Sequence, residues 1–141
     1  MSDTPNIEPK FIEQAEVLIL ENLSNEQFGV SELAEAMTMS RSSLLRNIKK
    51  QTTLSASQFI RKVRLEKSME LLKKNSSTVA EVSYQVGFGS TSYFIKCFRE
   101  QYGYSPGEVG KPKLEPDPIP IHFAKRHRWQ IIAIASFILI A

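Results

Sequence analysis

The 141-residue chain contains one cysteine and two histidines, and these shortages exclude several classes of protein. A single cysteine rules out an internal disulfide framework and indicates a reducing compartment. No Cys or His residues have metal-ligand spacing, no glycine-rich loop would hold a phosphate, and no paired carboxylates form an active-site pattern. We therefore expect no enzyme activity, no cofactor and no metal, and we recognise no small-molecule site.

Charge is unevenly distributed along the chain. Residues 1–28 hold one Lys against six acidic residues, a net charge of −5. Residues 29–111 hold thirteen Lys and Arg against seven acids, a net charge of +6, and residues 112–141 carry +2. Positive charge is thus concentrated in the middle of the chain, as binding to the phosphates of a nucleic acid requires.

The middle segment contains a pattern of two short helices at residues 78–106, TVAEVSYQVGFGSTSYFIKCFREQYGYSP. Thr78 and Glu81 have the spacing of a capping box at the start of the first helix. Gly87 suits the end of that helix, and Gly103 suits the end of the second. Two short helices joined by a tight turn that contains glycine are typical of a helix-turn-helix motif.

The second of these helices has two different sides. Ser90 or Thr91 is its N-cap, and Phe94, Cys97, Phe98 and Tyr102 form its apolar side. The opposite side is short and polar at first and basic toward its end, which suits base edges and then phosphates in a major groove. From spacing alone, a solvated polar face is an equally good interpretation. The candidate DNA-binding residues are Ser90, Thr91, Ser92, Ile95, Lys96 and Arg99.

The segment EVSYQVGFGSTSYFIKCFREQYGYSP resembles the second helix-turn-helix of the AraC-type transcription regulators. The ordered elements Gly87-Phe88, Ser92-Tyr93-Phe94, Phe98, Gly103 and Pro106 carry the resemblance. The upstream segment SELAEAMTMSRSSLLRNIKKQTTLSASQFIRKVRLEKSMELL resembles the first motif of the family and the helix that follows it. The resemblance implies an all-α DNA-binding domain over residues 8–110, in which a long linker helix joins two helix-turn-helix subdomains.

Several residues depart from the family pattern. Ser83 replaces a usual Ala at the turn, and Ile48 replaces a usual Phe. Thr38 and Thr53 stand where the family has Gly, and a left-handed conformation at Thr38 would be strained. We expect these departures to leave the fold intact.

The upstream helices follow from periodicity and capping signals. We expect helices over Glu8–Leu23, from a Ser31 cap to Met37, from a Ser40 cap over Arg41–Thr52, and from Ser55 to Lys74. In the family, the two recognition helices enter successive major-groove segments, about 34 Å apart on one face of the duplex. Arg46 is the best candidate for a guanine or a phosphate, because its planar fork binds either one bidentately. The first candidate reading face comprises Arg41, Ser42, Leu45, Arg46 and Lys49.

The two ends of the chain differ from the middle. Residues 1–7 are expected to be a flexible N-terminus, and residues 111–124 a proline-rich spacer. Residues 125–141 combine a basic cluster with the apolar run Trp129–Ala141, which as a helix would span about 20 Å of a hydrocarbon core of roughly 30 Å. We interpret this run as a truncated transmembrane helix with the basic cluster on the cytoplasmic side. A tail helix that packs on the domain or drives oligomerisation is the alternative.

These patterns together predict a sequence-specific transcription regulator that binds double-stranded DNA. Its DNA-binding domain would lie in the cytoplasm, anchored in a bacterial inner membrane through Trp129–Ala141, and a region beyond Ala141 would allow a homo-oligomer. One alternative is a soluble helical interaction module whose basic face contacts protein or anionic lipid. Another is the cytoplasmic appendage of a membrane enzyme.

Overall fold

The computed structural model of the chain describes residues 7–110, with side chains from Lys10 onward. The remainder of the predicted flexible N-terminus, the proline-rich spacer (111–124), and the basic anchor with its apolar run (125–141) lie outside the described residues. Within residues 7–110, no helix combines the length and the apolar character needed to cross a membrane.

Helices account for nearly all of the regular structure between residues 7 and 110. They are α1 (Ile7–Glu21), α2 (Val30–Ala36), α3 (Arg41–Thr52), α4 (Ala56–Lys73), α5 (Val79–Gln85) and α6 (Thr91–Tyr102), with a 3-10 turn at Pro106–Glu108. Helices α2 and α3 form one helix-turn-helix, and α5 and α6 form the second. Helix α4 joins them, so the predicted all-α architecture with a long linker helix is confirmed for these residues.

Short polar side chains start most of the helices, as their spacing predicts. The Ser40 hydroxyl accepts a hydrogen bond from the Ser43 N–H (3.1 Å) at the start of α3. The Ser55 and Gln58 side chains form a reciprocal capping box at α4, and Thr78 with Glu81 does the same at α5. These contacts satisfy N–H groups that a helix N-terminus leaves without intrahelical partners.

The predicted Ser31 cap is wrong. Helix α2 begins at Val30 with Gly29 as its N-cap, and the Gly29 N–H donates to Oε2 of Glu32 (2.9 Å). The carboxylate of Glu32, three residues after Gly29, reaches back to cap the helix, so the N-cap lies two residues upstream of the predicted one. Ser31 lies inside the first turn, where its hydroxyl accepts from Nη1 of Arg41 (2.8 Å).

Two apolar cores lie along the linker helix, and α4 contributes to both. The first core joins α1, α2 and α3 to the N-terminal half of α4, and includes Phe11, Ile19, Leu33, Leu44, Ile48 and Phe59. The second joins α5 and α6 to the C-terminal half of α4, and includes Leu65, Leu72, Val82, Phe88, Phe94 and Phe98. Each helix-turn-helix therefore has a core of its own, and α4 holds the two together.

Three residues other than glycine have left-handed backbones: Thr38 (φ 55°), Thr53 (φ 64°) and Asn75 (φ 53°). The expectation that Thr38 is strained is confirmed, because a β-branched side chain is poorly tolerated at positive φ. Thr53 is the C-cap of α3 and adopts the same conformation. Gly87 (φ 82°) ends α5 as predicted.

Candidate nucleic-acid interface

Helix α3 presents its predicted reading face to solvent. Leu44 and Ile48 are fully buried, which turns Ser42, Leu45 and Arg46 outward. Leu45 is 37% exposed on the outer side of α3. The exposed side therefore combines a hydroxyl, an apolar side chain and a guanidinium, which are the groups that contact base edges and thymine methyls.

Two other members of this face have partners within the domain. Arg41 is exposed and donates to Ser31, which ties the start of α3 to α2. Nζ of Lys49 donates to the carbonyl oxygen of Thr53 (3.0 Å) at the C-terminus of α3. Both remain at the surface, and a cation at a helix C-terminus is favoured by the helix dipole.

Helix α6 has the amphipathic form that its sequence predicts. Phe94 and Phe98 are fully buried and Cys97 nearly so. Ser90 is the N-cap and accepts from the Tyr93 N–H (3.3 Å), which decides between the two candidate caps. Ser92, Lys96 and Arg99 are exposed on the side away from the core.

Two predicted α6 residues do not lie fully on the outer face. The Thr91 hydroxyl lies 3.1 Å from the hydroxyl of Ser83, so it links α6 to α5. Ile95 is half-buried and packs against the second core. The contacts of Thr91 with Ser83 and of Ile95 with the second core therefore widen the side of α6 that meets the rest of the domain beyond Phe94, Cys97 and Phe98.

Sequence reasoning missed two residues at the junction of the motifs. Tyr93 is 48% exposed, and its hydroxyl accepts from Nη1 of Arg61 on the linker helix (3.0 Å). Arg64 is 5% exposed and donates only to backbone carbonyl oxygens. No local pattern distinguishes Arg64 from the other cations of α4, since its acceptors lie far away in the sequence.

The cations of the two candidate faces are not neutralised by acidic partners in the described part of the chain. Its two ion pairs, Lys62–Glu66 (3.8 Å) and Lys67–Glu70 (2.8 Å), both lie on α4. The positive charge of Arg46, Lys96 and Arg99 is therefore available to an external anion.

Between residues 7 and 110, no three His, Cys, Asp or Glu residues are placed to hold a metal ion. Cys97 is buried as a small hydrophobic residue within the second core. The expectations that the chain has no cofactor and no small-molecule site stay predictions.

A family model described as a helix-turn-helix domain matches residues 33–111, more than half of the chain. The chain belongs to the AraC-type helix-turn-helix family. Among curated relatives, it is 33% identical over 103 residues to the histidine kinase P4 of Formosa agariphila, covering 73% of this chain and 8% of that protein. It is 40% identical over 86 residues to the HTH-type transcriptional regulator MtrA of Neisseria gonorrhoeae, covering 61% of this chain and 29% of MtrA.

Among solved structures, the DNA-binding domain of the global transcriptional factor AdpA, in complex with a target DNA, has a TM-score of 0.63 at 28% identity. That match covers 72% of this chain and 96% of the AdpA chain. The AraC-type domain of this chain thus has the fold of a domain that binds target DNA in AdpA. The chain spans less than a third of the length of each of the two curated relatives.

Proposed function

We propose that this chain is a sequence-specific transcription regulator whose helices α3 and α6 enter successive major-groove segments of double-stranded DNA. The observation that carries the proposal is that both helices bury an apolar side and turn a basic side outward, from motifs held on one linker helix. One chain would then read two half-sites about one helical turn apart, and the target need not be a palindrome.

The exposed residues divide into two roles. Arg46 has the planar fork to bind a guanine or a phosphate bidentately, and Leu45 suits a thymine methyl. Ser42, Ser90 and Ser92 supply small hydroxyl groups near the helix starts. Arg41, Lys49, Lys96 and Arg99 supply positive charge for phosphates, while Thr91 and Ile95 support α6 from its flank.

Selection of binding sites from a random duplex library tests these roles. Arg46→Ala is expected to cost about 1–3 kcal/mol and to relax the preference at one position, if Arg46 binds a guanine. Lys96→Ala is expected to weaken the affinity for every duplex sequence alike. It is also expected to reduce the slope of log affinity against log salt concentration by about one. Lys62→Ala is the control, because it removes an exposed cation of α4 that lies outside both faces. Unchanged selection and affinity in both variants would refute the assigned faces.

The same binding assay separates this function from the interaction-module alternative. Phosphate-driven binding weakens steeply with salt for every sequence, whereas specific binding leaves one preferred site at high salt. A chain ending at Lys111 that selects no sequence, yet binds vesicles containing anionic lipid, would favour the interaction module.

We also propose that the run Trp129–Ala141 anchors the chain in a bacterial inner membrane, with the DNA-binding domain in the cytoplasm. The support is the order of a proline-rich spacer, a basic cluster and an apolar run, which an N-inside single-span protein requires. The spacer would hold the basic reading faces away from the anionic bilayer surface.

Cell fractionation tests the anchor. A chain ending at Lys111 is expected to be soluble, monomeric and able to bind DNA, whereas the 141-residue chain is expected to need detergent. A matched variant with Ile134→Asp and Ile138→Asp interrupts the apolar run and is expected to leave the membrane fraction. Recovery of the unaltered chain in the soluble fraction, with residues 131–141 protected from protease, would refute the anchor.

A further inference from the structure

Arg64 has no role in the proposed contacts to DNA. It is also the buried arginine of the part of the chain that the structure describes. It lies in the middle of α4, between Val63 of the first core and Leu65 of the second. Its Nη1 donates to the carbonyl oxygens of Leu23 and Val86 (2.8 Å to Val86). Its Nη2 donates to those of Asn25 and Phe28, each at 3.0 Å.

The four acceptors belong to different halves of the domain. Leu23, Asn25 and Phe28 lie in the connection between α1 and α2, in which Phe28 belongs to the first core and Leu23 packs against the second. Val86 is the C-cap of α5, in the turn of the second helix-turn-helix. A single planar guanidinium thus joins the two halves through charge-assisted hydrogen bonds, which are stronger than bonds between neutral groups.

The structure makes room for this guanidinium at Gly87. A Cβ atom on Gly87 would lie 1.6 Å from Nη1 of Arg64 and 2.4 Å from the carbonyl oxygen of Leu23. The turn of the second motif therefore closes directly onto Arg64. Burial lowers the pKa of Arg64 from its ordinary value, and an arginine nevertheless stays protonated in proteins. The charge therefore remains available to all four carbonyl oxygens.

We propose that Arg64 is a positioning residue that fixes the geometry between the two recognition helices and so sets the half-site spacing that the domain accepts. This inference rests on the proposed function. Helices α3 and α6 pack on opposite halves of α4, and bending or twisting of either half would change their separation. The Arg64 bonds oppose that change because they would be broken by any relative rotation of the two turns.

Arg64→Lys tests the inference, because lysine keeps the charge but has no planar fork to reach both turns. The probe is a duplex selected by the wild-type chain and then resynthesised with one, two or five extra base pairs between its half-sites. The 141-residue chain is kept in mild detergent throughout. The wild type is expected to lose on the order of 100-fold in affinity with two extra base pairs, and Arg64→Lys less than about fivefold. Lys62→Met, on the same helix, is expected to keep the wild-type penalty.

A distance measurement without DNA supplies an independent readout. Spin labels at Lys50→Cys and Glu100→Cys, in a chain with Cys97→Ala, report the separation of α3 and α6. One narrow distance distribution is expected with Arg64 present, and a broad one with Arg64→Lys. If Arg64→Lys does not fold by circular dichroism, Gly87→Ala takes its place, because it displaces the guanidinium without changing Arg64.

The outcomes separate this inference from the proposed function. A wild-type chain that selects no bipartite site would overturn the proposed function. Selection of a bipartite site together with an unchanged spacing penalty in Arg64→Lys would overturn only the role of Arg64. A broad distance distribution in the wild-type chain would also overturn that role. So would distance distributions of equal width in the wild type and in Arg64→Lys.

Discussion

At the scale of single residues, three residues other than glycine have left-handed backbone conformations. Their side chains differ in how well they tolerate that conformation. Thr38 and Thr53 are exposed, so replacing them removes little packing. Asn75 has a similar φ of 53°, but asparagine tolerates this region because its side chain can bond to the nearby backbone. Strain at this scale is therefore concentrated in the two threonines of the first helix-turn-helix.

Thr38→Gly and Thr53→Gly are each expected to stabilise the domain. Relief of the left-handed strain, about 1–2 kcal/mol, outweighs the flexibility that glycine adds to the unfolded chain, roughly 0.5–1 kcal/mol. Thermal melts measure the gain, and Asn75→Gly is the matched control, with an expected change close to zero. A Thr38→Gly melt no higher than that of Asn75→Gly would contradict the strain.

Gly87 and Gly103 allow the steric part of a substitution to be separated from the conformational part. Both have φ 82°, but only Gly87 is crowded, by Arg64 and Leu23, whereas no atom lies within 4 Å of a Cβ on Gly103. Gly103→Ala is expected to cost about 1 kcal/mol from backbone strain alone. Gly87→Ala is expected to cost about 1–3 kcal/mol more, as overpacking does. Equal losses of unfolding free energy in urea for the two variants would show that the space between Gly87 and Arg64 accommodates a methyl group.

At the scale of elements, helices α2 to α6 each begin at a specific side-chain contact, and α2 uses a carboxylate. Backbone N–H groups of Glu32 itself and of Gly29 lower the pKa of the Glu32 carboxyl from its ordinary 4.5. A carboxyl whose pKa is lower in the folded state stabilises the fold above its unfolded pKa, and that contribution is lost as pH falls through the folded pKa. Helix α2 is therefore expected to be the acid-sensitive element of the first motif.

Glu32→Gln tests this acid sensitivity. The variant is expected to be less stable than the wild type at neutral pH, and the difference is expected to shrink as pH falls through the lowered pKa of the folded-state Glu32 carboxyl, where the wild-type carboxyl becomes protonated. Glu35→Gln is the control on the same helix. Urea midpoints measured from pH 7 to pH 3 give the comparison, and a difference independent of pH would exclude the carboxylate cap as its source.

At the scale of the whole molecule, the two cores share one helix, and this arrangement has a consequence for unfolding. Helix α4 supplies Phe59 and Ile60 to the first core and Leu65 and Leu72 to the second. Loss of either core removes one side of the packing that holds α4 in place. The domain is therefore expected to unfold in one cooperative transition despite having two motifs.

Substitutions in each core test this cooperativity. Leu44→Ala and Phe94→Ala remove fully buried side chains from the first and second core, and are expected to cost about 2–5 kcal/mol each. Both are expected to lower the same single melting transition. Val17→Ala, at a position 52% exposed, is the control and is expected to change little. Two separate transitions in either core variant would mean that the motifs fold independently.

The sequence by itself determined the features that depend on neighbours within one turn of helix. Ser40, Ser55 and Thr78 cap helices where their spacing predicts, and Leu44, Phe94 and Phe98 face the core because apolar residues recur at helical intervals. The outward direction of Arg46 and Lys96 follows from the same periodicity. The resemblance supplied the order of the motifs and the role of α4 as their link.

Only the tertiary structure decided how the two halves are joined. Arg64 meets Leu23 and Val86 across 41 and 22 positions of sequence, and no local pattern distinguishes it from the exposed cations of the same helix. The bond between Thr91 and Ser83 depends on where α5 lies against α6. Periodicity gives the side of a helix that is buried, but a buried polar group needs a specific partner, and that partner is brought within reach only when the whole chain is folded.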